Sequence, residues 1–258
     1  MITRKSRGEI EKMRRAGRVV AEVLALVESA LRPGVATIEL DRLAEAHMRA
    51  EGAVPSFKGY LGGRRYGRGP HAFPASICVS IDNEIVHGIP NGRQIEDGQL
   101  VSIDVGAIVD GWHGDAARTF VVGSVKRELI DLVEATRMGM MAGITAATVG
   151  HRIGDISAAV EDVAKPHGYG VVRQFVGHGI GTDMHEDPQV PNFSTRSPGP
   201  ELAPGVCLAI EPMFTLGTGD AEILDDGWTV VTVDGSIAAH FEHTIAITDN
   251  GPEILTTI

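Results

Sequence analysis

With 258 residues, 43% of them hydrophobic and 22% charged, the chain is long enough for one large domain or two small ones and apolar enough to bury a sizeable core. A net charge of −11 argues against general binding to DNA or other nucleic acids, and no apolar run reaches the roughly 18 residues of a membrane span. Only Cys78 and Cys207 occur, and no apolar stretch follows the charged start MITRKSRGEIEKMRRAG, so a disulfide scaffold and a signal peptide are excluded and a reducing cytoplasm is expected.

Ile10, Met13, Val20, Leu24, Val27 and Leu31 recur on one helical face, which predicts a helix from Gly8 to Leu31, stopped by RPG at 32–34. Thr37 is expected to cap a shorter helix reaching about Ala50. The stretch GGRRYGRGP (62–70), with Arg64, Arg65 and Arg68 among glycines, reads as a solvated loop. Strand-like runs follow at 75–81, 98–109 and 119–123. The pattern then starts again, with a long helix from Lys126 to about Thr148, a break at Gly150 and a shorter helix from Ile153 to Lys165. Further strand-like runs lie at 171–176, 206–211, 228–233 and 238–248. Long helix, glycine break, short helix and strands thus occur twice, about 118 residues apart. No linker rich in Pro, Gly or Ser separates the copies. We expect one α+β domain over 1–258, built from related halves at about 8–123 and 126–250, with a site in the cleft where they meet.

The segment VSIDVGAIVDGWHGDAARTF (101–120) carries the most chemistry. Asp110-Gly111 is a strong two-residue hairpin signal. With that turn Val109 faces Trp112, Asp104 faces Ala117 and Asp115 faces Gly106. Asp104 and Asp115 are then diagonal neighbours on one face of the ribbon, within about 8 Å at the backbone. Two acids aimed into one space repel unless a cation lies between them or one is protonated. Glu211 ends VCLAIEP and Glu242 interrupts AAHFEHTIAIT, two further acids in apolar strand contexts. Any one of them alone reads as an edge-strand charge facing water. Four together, with a histidine set among glycines, suit two divalent ions held ~3.5–4 Å apart by oxygen ligands and an imidazole.

That histidine lies in VGHGIGTDMHEDPQV (176–190), which also contains His185. Gly177, Gly179 and Gly181 argue against a helix, and a spacing of seven would put His178 and His185 on opposite faces of an unbroken strand. The backbone must bend between them, and the glycines are expected to let the main chain approach whatever His178 binds. His113 and His243 alternate with acids along strands and are read as facing away from the ions, while His240 is read as a cleft-wall residue behind Glu242.

In order, Asp104, Asp115, His178, Glu211 and Glu242 resemble the metal ligands of the methionine aminopeptidase and prolidase superfamily, whose fold is called pita-bread. NEIVHGIP, IDVGAIVDGWHGDAARTF, GHGIGTDMHEDPQV, LAIEPM and FEHTIAITDNG narrow the resemblance to type I methionine aminopeptidases, over about residues 8–256. The gap from His178 to Glu211 is too short for the helical insertion of type II enzymes. The chain departs from the type I pattern in the loop at 62–70, at Met184, where phenylalanine is frequent, and at His240.

The resemblance implies two pseudo-symmetric halves with antiparallel sheet inside and helices outside, and metal-dependent removal of N-terminal methionine ahead of a small second residue. It implies that Asp115 and Glu242 bridge two ions (Co, Mn, Fe or Zn), that Asp104 chelates one, and that His178 and Glu211 complete the other. Glu211 would also shuttle a proton, His185 would polarise the substrate carbonyl, and His87 would hold the peptide near the leaving nitrogen. Cys78, Phe73, Trp228 and Met184 are the candidate walls of the methionine pocket. The implied partners are N-terminal Met peptides of nascent chains, with docking on the ribosome and a monomeric, cytoplasmic protein expected. The competing readings are a broader aminopeptidase or prolidase-like enzyme, and a non-catalytic binding module of the same fold.

Overall fold

The computed structural model describes residues 2–61 and 71–258, so the arginine- and glycine-rich stretch at 62–70 lies outside the described residues. The first helix, α1 (Arg7–Ala30), begins at Ser6, whose hydroxyl accepts from the Glu9 amide while the Glu9 carboxylate accepts from the Ser6 amide at 2.7 Å. This reciprocal cap satisfies two of the amides a helix start leaves without partners. Its buried face includes Met13, Ala16, Val20, Val23 and Val27. The second helix, α2 (Thr37–Ala50), starts one residue earlier than expected: Ala36 occupies the cap position, and the Thr37 hydroxyl donates to the Asn91 carbonyl at 3.0 Å instead.

After β1 (Val54–Pro55), β2 (Ile77–Ile81) and β3 (Glu84–Val86) comes the long hairpin of β4 (Leu100–Val109) and β5 (Trp112–Val121). Asp110 and Gly111 make its turn with φ of 50° and 79°, the left-handed pair that matches strand twist. The register follows: Val109 pairs with Trp112, Asp104 with Ala117 and Gly106 with Asp115. Strand β4 also pairs with β1 and β2, forming a four-stranded antiparallel sheet under α1 and α2. The short run expected at 119–123 is the end of β5.

The pattern of helices then strands recurs with α3 (Arg127–Ala146), α4 (Ile153–Ala164), β6 (Gly170–Val171), β7 (Gly177–Gly179), β8 (Glu186–Val190), β9 (Cys207–Ile210) and β10 (Met213–Thr215). It finishes with β11 (Ala221–Ile223), β12 (Val230–Thr232), β13 (Ala238–His240), β14 (His243–Thr248) and β15 (Gly251–Ile254). A five-stranded sheet has the order β15-β14-β9-β7-β8, and two three-stranded sheets have the orders β13-β10-β6 and β11-β12-β3. The run expected at 238–248 is broken at Phe241 and Glu242, where the chain passes from the β10 edge to the β9 edge. Separate buried apolar clusters lie beneath α1 and α2, around Val20, Leu40 and Ile103, and beneath α3 and α4, around Leu132, Ile156 and Phe214. No described helix is long and apolar enough to cross a membrane.

Candidate metal centre

The two sheet systems join edge to edge. Glu242 donates its amide to the Ala117 carbonyl at 2.9 Å and accepts from the Ala117 amide at 3.3 Å. The Thr244 hydroxyl accepts from the Asp115 amide at 3.0 Å and donates to the Asp115 carbonyl at 2.8 Å. The Thr119 hydroxyl does the same for His240, with both distances 2.8 Å. These contacts bring the Asp104–Asp115 face of the hairpin against the break that carries Glu242. From the other side, β7 presents His178, and Glu211 follows directly after β9, its strand neighbour.

All five predicted donors face one cavity. His178 Nε2 lies 3.5 Å from Glu211 Oε1 and 4.0 Å from Asp115 Oδ2. Donor atoms of Asp115, His178 and Glu242 all fall within 4.8 Å of one another, and all three residues are buried. Asp104 Oδ1, Asp115 Oδ1 and Glu242 Oε1 are buried with no hydrogen-bond partner. Burial, reinforced by neighbouring carboxylates, pushes Asp115, Glu211 and Glu242 well above the usual carboxylate range. Burial lifts Asp104 to about 7. Orphaned buried oxygens on three of four crowded acids are costly unless a cation or protons compensate them. The donor set therefore fits divalent metal, with hard oxygens and one imidazole converging. Among the described residues Glu22, His47 and Glu51 also approach closely, but on a partly exposed surface where His47 Nε2 already lies 3.1 Å from Glu22 Oε2.

The tautomer of His178 follows from one contact. Its Nδ1 lies 2.9 Å from the Gly179 carbonyl, which can only accept, so Nδ1 carries the proton and Nε2 offers its lone pair to the acids. Burial lowers the ring to about 4, keeping it neutral. The flanking glycines have a different role from the one expected. A Cβ on Gly177 would strike the Ala209 carbonyl and one on Gly179 the Asp187 carbonyl, so they permit close strand packing around His178 rather than approach to a ligand. His113 is also placed differently. It shares the parity of Asp115 along β5 and points to the same side, where its Nδ1 lies 2.9 Å from the Ser56 hydroxyl. His240 lies 4.0 Å from Glu211 Oε2, and both its ring nitrogens are buried without a hydrogen-bond partner.

The rest of the cavity lining is largely apolar. Cys78, Phe73, Met184 and Trp228 all line it, as does His87. Phe73 and Trp228 meet edge to face at 5.3 Å, and the indole nitrogen donates to the His71 carbonyl at 3.1 Å. His87 sits at φ 60°, a left-handed conformation uncommon for a non-glycine residue and concentrated at functional sites. His185 stands over the centre, its ring 4.3 Å from that of His178, and burial lowers it to about 2. The bend between β7 and β8 brings the two rings together, as their spacing required.

Sequence reasoning missed Phe57 and Tyr60. Phe57 completes the wall, its ring packed where Gly106 has no side chain, and the Tyr60 hydroxyl lies 2.7 Å from His185 Nδ1. Their only sequence signal is a pair of aromatics in SFKGYL (56–61), beside the glycine-rich loop.

The family model for metallopeptidase family M24 matches residues 11–249. A methionine aminopeptidase from Clostridium acetobutylicum is 49% identical over 257 residues, covering 99% of both chains. The crystal structure of a methionine aminopeptidase from Thermotoga maritima superposes with a TM-score of 0.94 at 41% identity, covering 100% of both chains. A prolidase from Pyrococcus furiosus shares the fold at 22% identity and a TM-score of 0.77, with 65% of its own length covered. The architecture is accordingly the pita-bread fold, and the chain belongs to metallopeptidase family M24.

Proposed function

We propose that the chain is a metal-dependent methionyl aminopeptidase that removes N-terminal methionine from peptides and nascent chains whose second residue is small. The observation that carries this is one cavity with two chemically distinct sets of lining residues: convergent acids with a neutral imidazole, and the largely apolar Phe57, Phe73, Cys78, Met184 and Trp228. An unbranched thioether suits such a wall, since methionine adapts to irregular apolar space and its sulfur packs well on aromatic rings. The full-length likeness to proteins named methionine aminopeptidase supports the same reading over a prolidase-like one, for which the likeness is to fold alone. The five retained donors argue against a binding module that has lost its chemistry.

In this reading Asp104, Asp115, His178, Glu211 and Glu242 hold two divalent ions, drawn from Co, Mn, Fe or Zn. Divalent metal held there would lower the pKa of water towards ~7 and would polarise the scissile carbonyl. Glu211, the most exposed of the four acids, takes the proton from the attacking water and passes it to the departing amine. The Tyr60 hydroxyl lies 2.7 Å from His185 Nδ1; in this reading it donates there, which would leave Nε2–H for the oxygen on which negative charge develops. His87, braced edge-on by Phe175 at 5.6 Å, holds the peptide at the leaving nitrogen.

Residues 8–123 and 126–250 are read as related halves of a single domain 1–258, supported by two successive runs of paired helices followed by strands. Action on nascent chains implies a cytoplasmic protein, read as a monomer, working near the ribosome. There Arg64, Arg65 and Arg68 would offset the net charge of −11 against RNA. Replacing those arginines by serine should leave tripeptide cleavage intact and weaken salt-sensitive ribosome co-sedimentation. The function is tested with chelator-treated protein, which should release methionine from Met-Ala-Ser only after divalent metal is restored. Equal release from Leu-Ala-Ser or Ala-Pro-Ser would favour the broader enzyme.

A further inference from the structure

We propose that Lys5 and Glu186 form a positioning pair through which the N-terminal arm, residues 2–6, sets the place of His185. This rests on the role given to His185 above. Lys5 is only 7% exposed, although its segment precedes the first helix and lies outside the cavity. Its ammonium donates to Glu186 Oε2 at 2.7 Å and to the Thr3 hydroxyl at 2.7 Å, and that hydroxyl donates to the same carboxylate oxygen at 2.6 Å. The other oxygen, Glu186 Oε1, accepts from the Thr182 amide at 3.0 Å and the Asp183 amide at 3.5 Å. One carboxylate therefore closes the 182–186 loop on itself and ties it to the arm. Burial pushes the Glu186 carboxyl up, but the hydrogen bonds from Lys5 and Thr3 outweigh it and hold Glu186 below the usual range.

The arm is itself anchored to the framework of the site. The Lys5 amide donates to the Gly205 carbonyl at 2.6 Å, just before β9, and Arg4 Nε donates to the Pro204 carbonyl at 2.8 Å. At the base of the loop, the His113 amide of β5 donates to the Gly181 carbonyl at 2.9 Å. Space is also committed: a Cβ on Gly181 would strike both Glu186 Oε1 and the Lys5 side chain. Glu186 is the residue after His185, so its pin fixes the backbone from which the imidazole projects. Tyr60 holds the ring's other end. A charged pair this buried is costly to break from one side only, because the remaining charge loses its partner.

The test is a double-mutant cycle between the pair and His185, read by kcat, KM and calorimetric metal titration with Mn2+. Lys5→Met should lower kcat for Met-Ala-Ser about tenfold, a cost typical of displacing a catalytic group by a fraction of an ångström, with metal affinity within about twofold. Lys5→Arg should recover most of the loss. In the His185→Ala background, Lys5→Met should change kcat by less than about twofold, since the group it positions is gone. Glu186→Gln, nearly isosteric, should behave as Lys5→Met does and serves if Lys5→Met folds poorly. The same tenfold loss in both backgrounds, or a loss of metal affinity with kcat unchanged at saturating metal, would overturn the proposal while leaving the site intact. If His185→Ala alone left kcat unchanged, the role of His185 itself would fall, and this inference with it.

Discussion

Ala117 and Glu242 exchange a pair of backbone hydrogen bonds, 2.9 Å and 3.3 Å long, at the place where the hairpin sheet meets the five-stranded sheet. Ala117 is the residue opposite Asp104, and Glu242 sits in the one break of its strand run. That single junction sets an acid from each sheet system side by side. With the Thr244 bridge to Asp115, it makes the acidic wall a property of how the sheets join rather than of any loop. Donors on such a framework are held with little freedom, as metal chemistry requires.

Asp115 lies at the centre of this arrangement, with Asp104 and Glu242 as its charged neighbours. Asp115→Asn should lower activity more than ~100-fold and weaken metal binding with it, since even outer partners of metal ligands are worth 10–100-fold. The same change should raise the melting temperature of the metal-free protein, because one of the crowded carboxylates is removed. A variant with normal turnover and unchanged metal content would contradict the placement.

Metal-free stability should fall as pH rises from about 7.5 to 8.5. Above about pH 7.5 the histidines are almost entirely neutral whether folded or unfolded and contribute little, while unfolded carboxyls, near pKa 4, are ionised. The folded site still holds protons there, chiefly on Asp115, Glu211 and Glu242, which burial and neighbouring carboxylates keep well above the usual carboxylate range. The folded state therefore binds more protons across this window, and stability declines with pH. We expect chelator-treated protein to lose about 5 °C in melting temperature between these limits, and protein with excess Mn2+ to lose much less. Melting that rises with pH in the absence of metal would reverse the sign and sink the argument.

Second-residue selectivity should be strong. His87 and His185 both line the cavity, and a peptide held as proposed would meet them just beyond its scissile carbonyl. Met-Ala-Ser should exceed Met-Lys-Ser in kcat/KM by at least ~100-fold, the penalty for a side chain with no place to go. Comparable values would show that the cleft opens further than its lining residues allow.

Much of this site was legible in the sequence because it rests on strand parity. The Asp110-Gly111 turn fixes the register, and the register puts Asp104 and Asp115 on one face. The same parity applied to His113 places it with Asp115, so reading it as facing away was an error of counting rather than of physics. The strand break at Phe241–Glu242 was not legible, because a switch between sheet edges leaves no gap in hydrophobicity. Phe57 and Tyr60 were missed for a related reason: they follow a two-residue strand and reach the cavity by tertiary packing, which local pattern does not encode. Lys5 and Glu186 are separated by 181 positions, and charged residues so far apart carry no sign that they meet.

The most direct test of the central claim separates His178 from His185. The structure gives His178 a neutral ring with Nε2 turned to the acids, and sets the His185 ring 4.3 Å from it on the cavity lining. His178→Ala should therefore need far more added metal for any activity, as loss of an imidazole ligand weakens the ion's hold. His185→Ala should keep its metal affinity and lose ~10²–10³ in kcat, the usual cost of one group acting on a developing oxyanion. Calorimetric titration with Mn2+, run beside Met-Ala-Ser kinetics on both variants, reads the two effects separately. If His185→Ala loses the metal while His178→Ala keeps it, the assignment is reversed, and the account of this site is wrong.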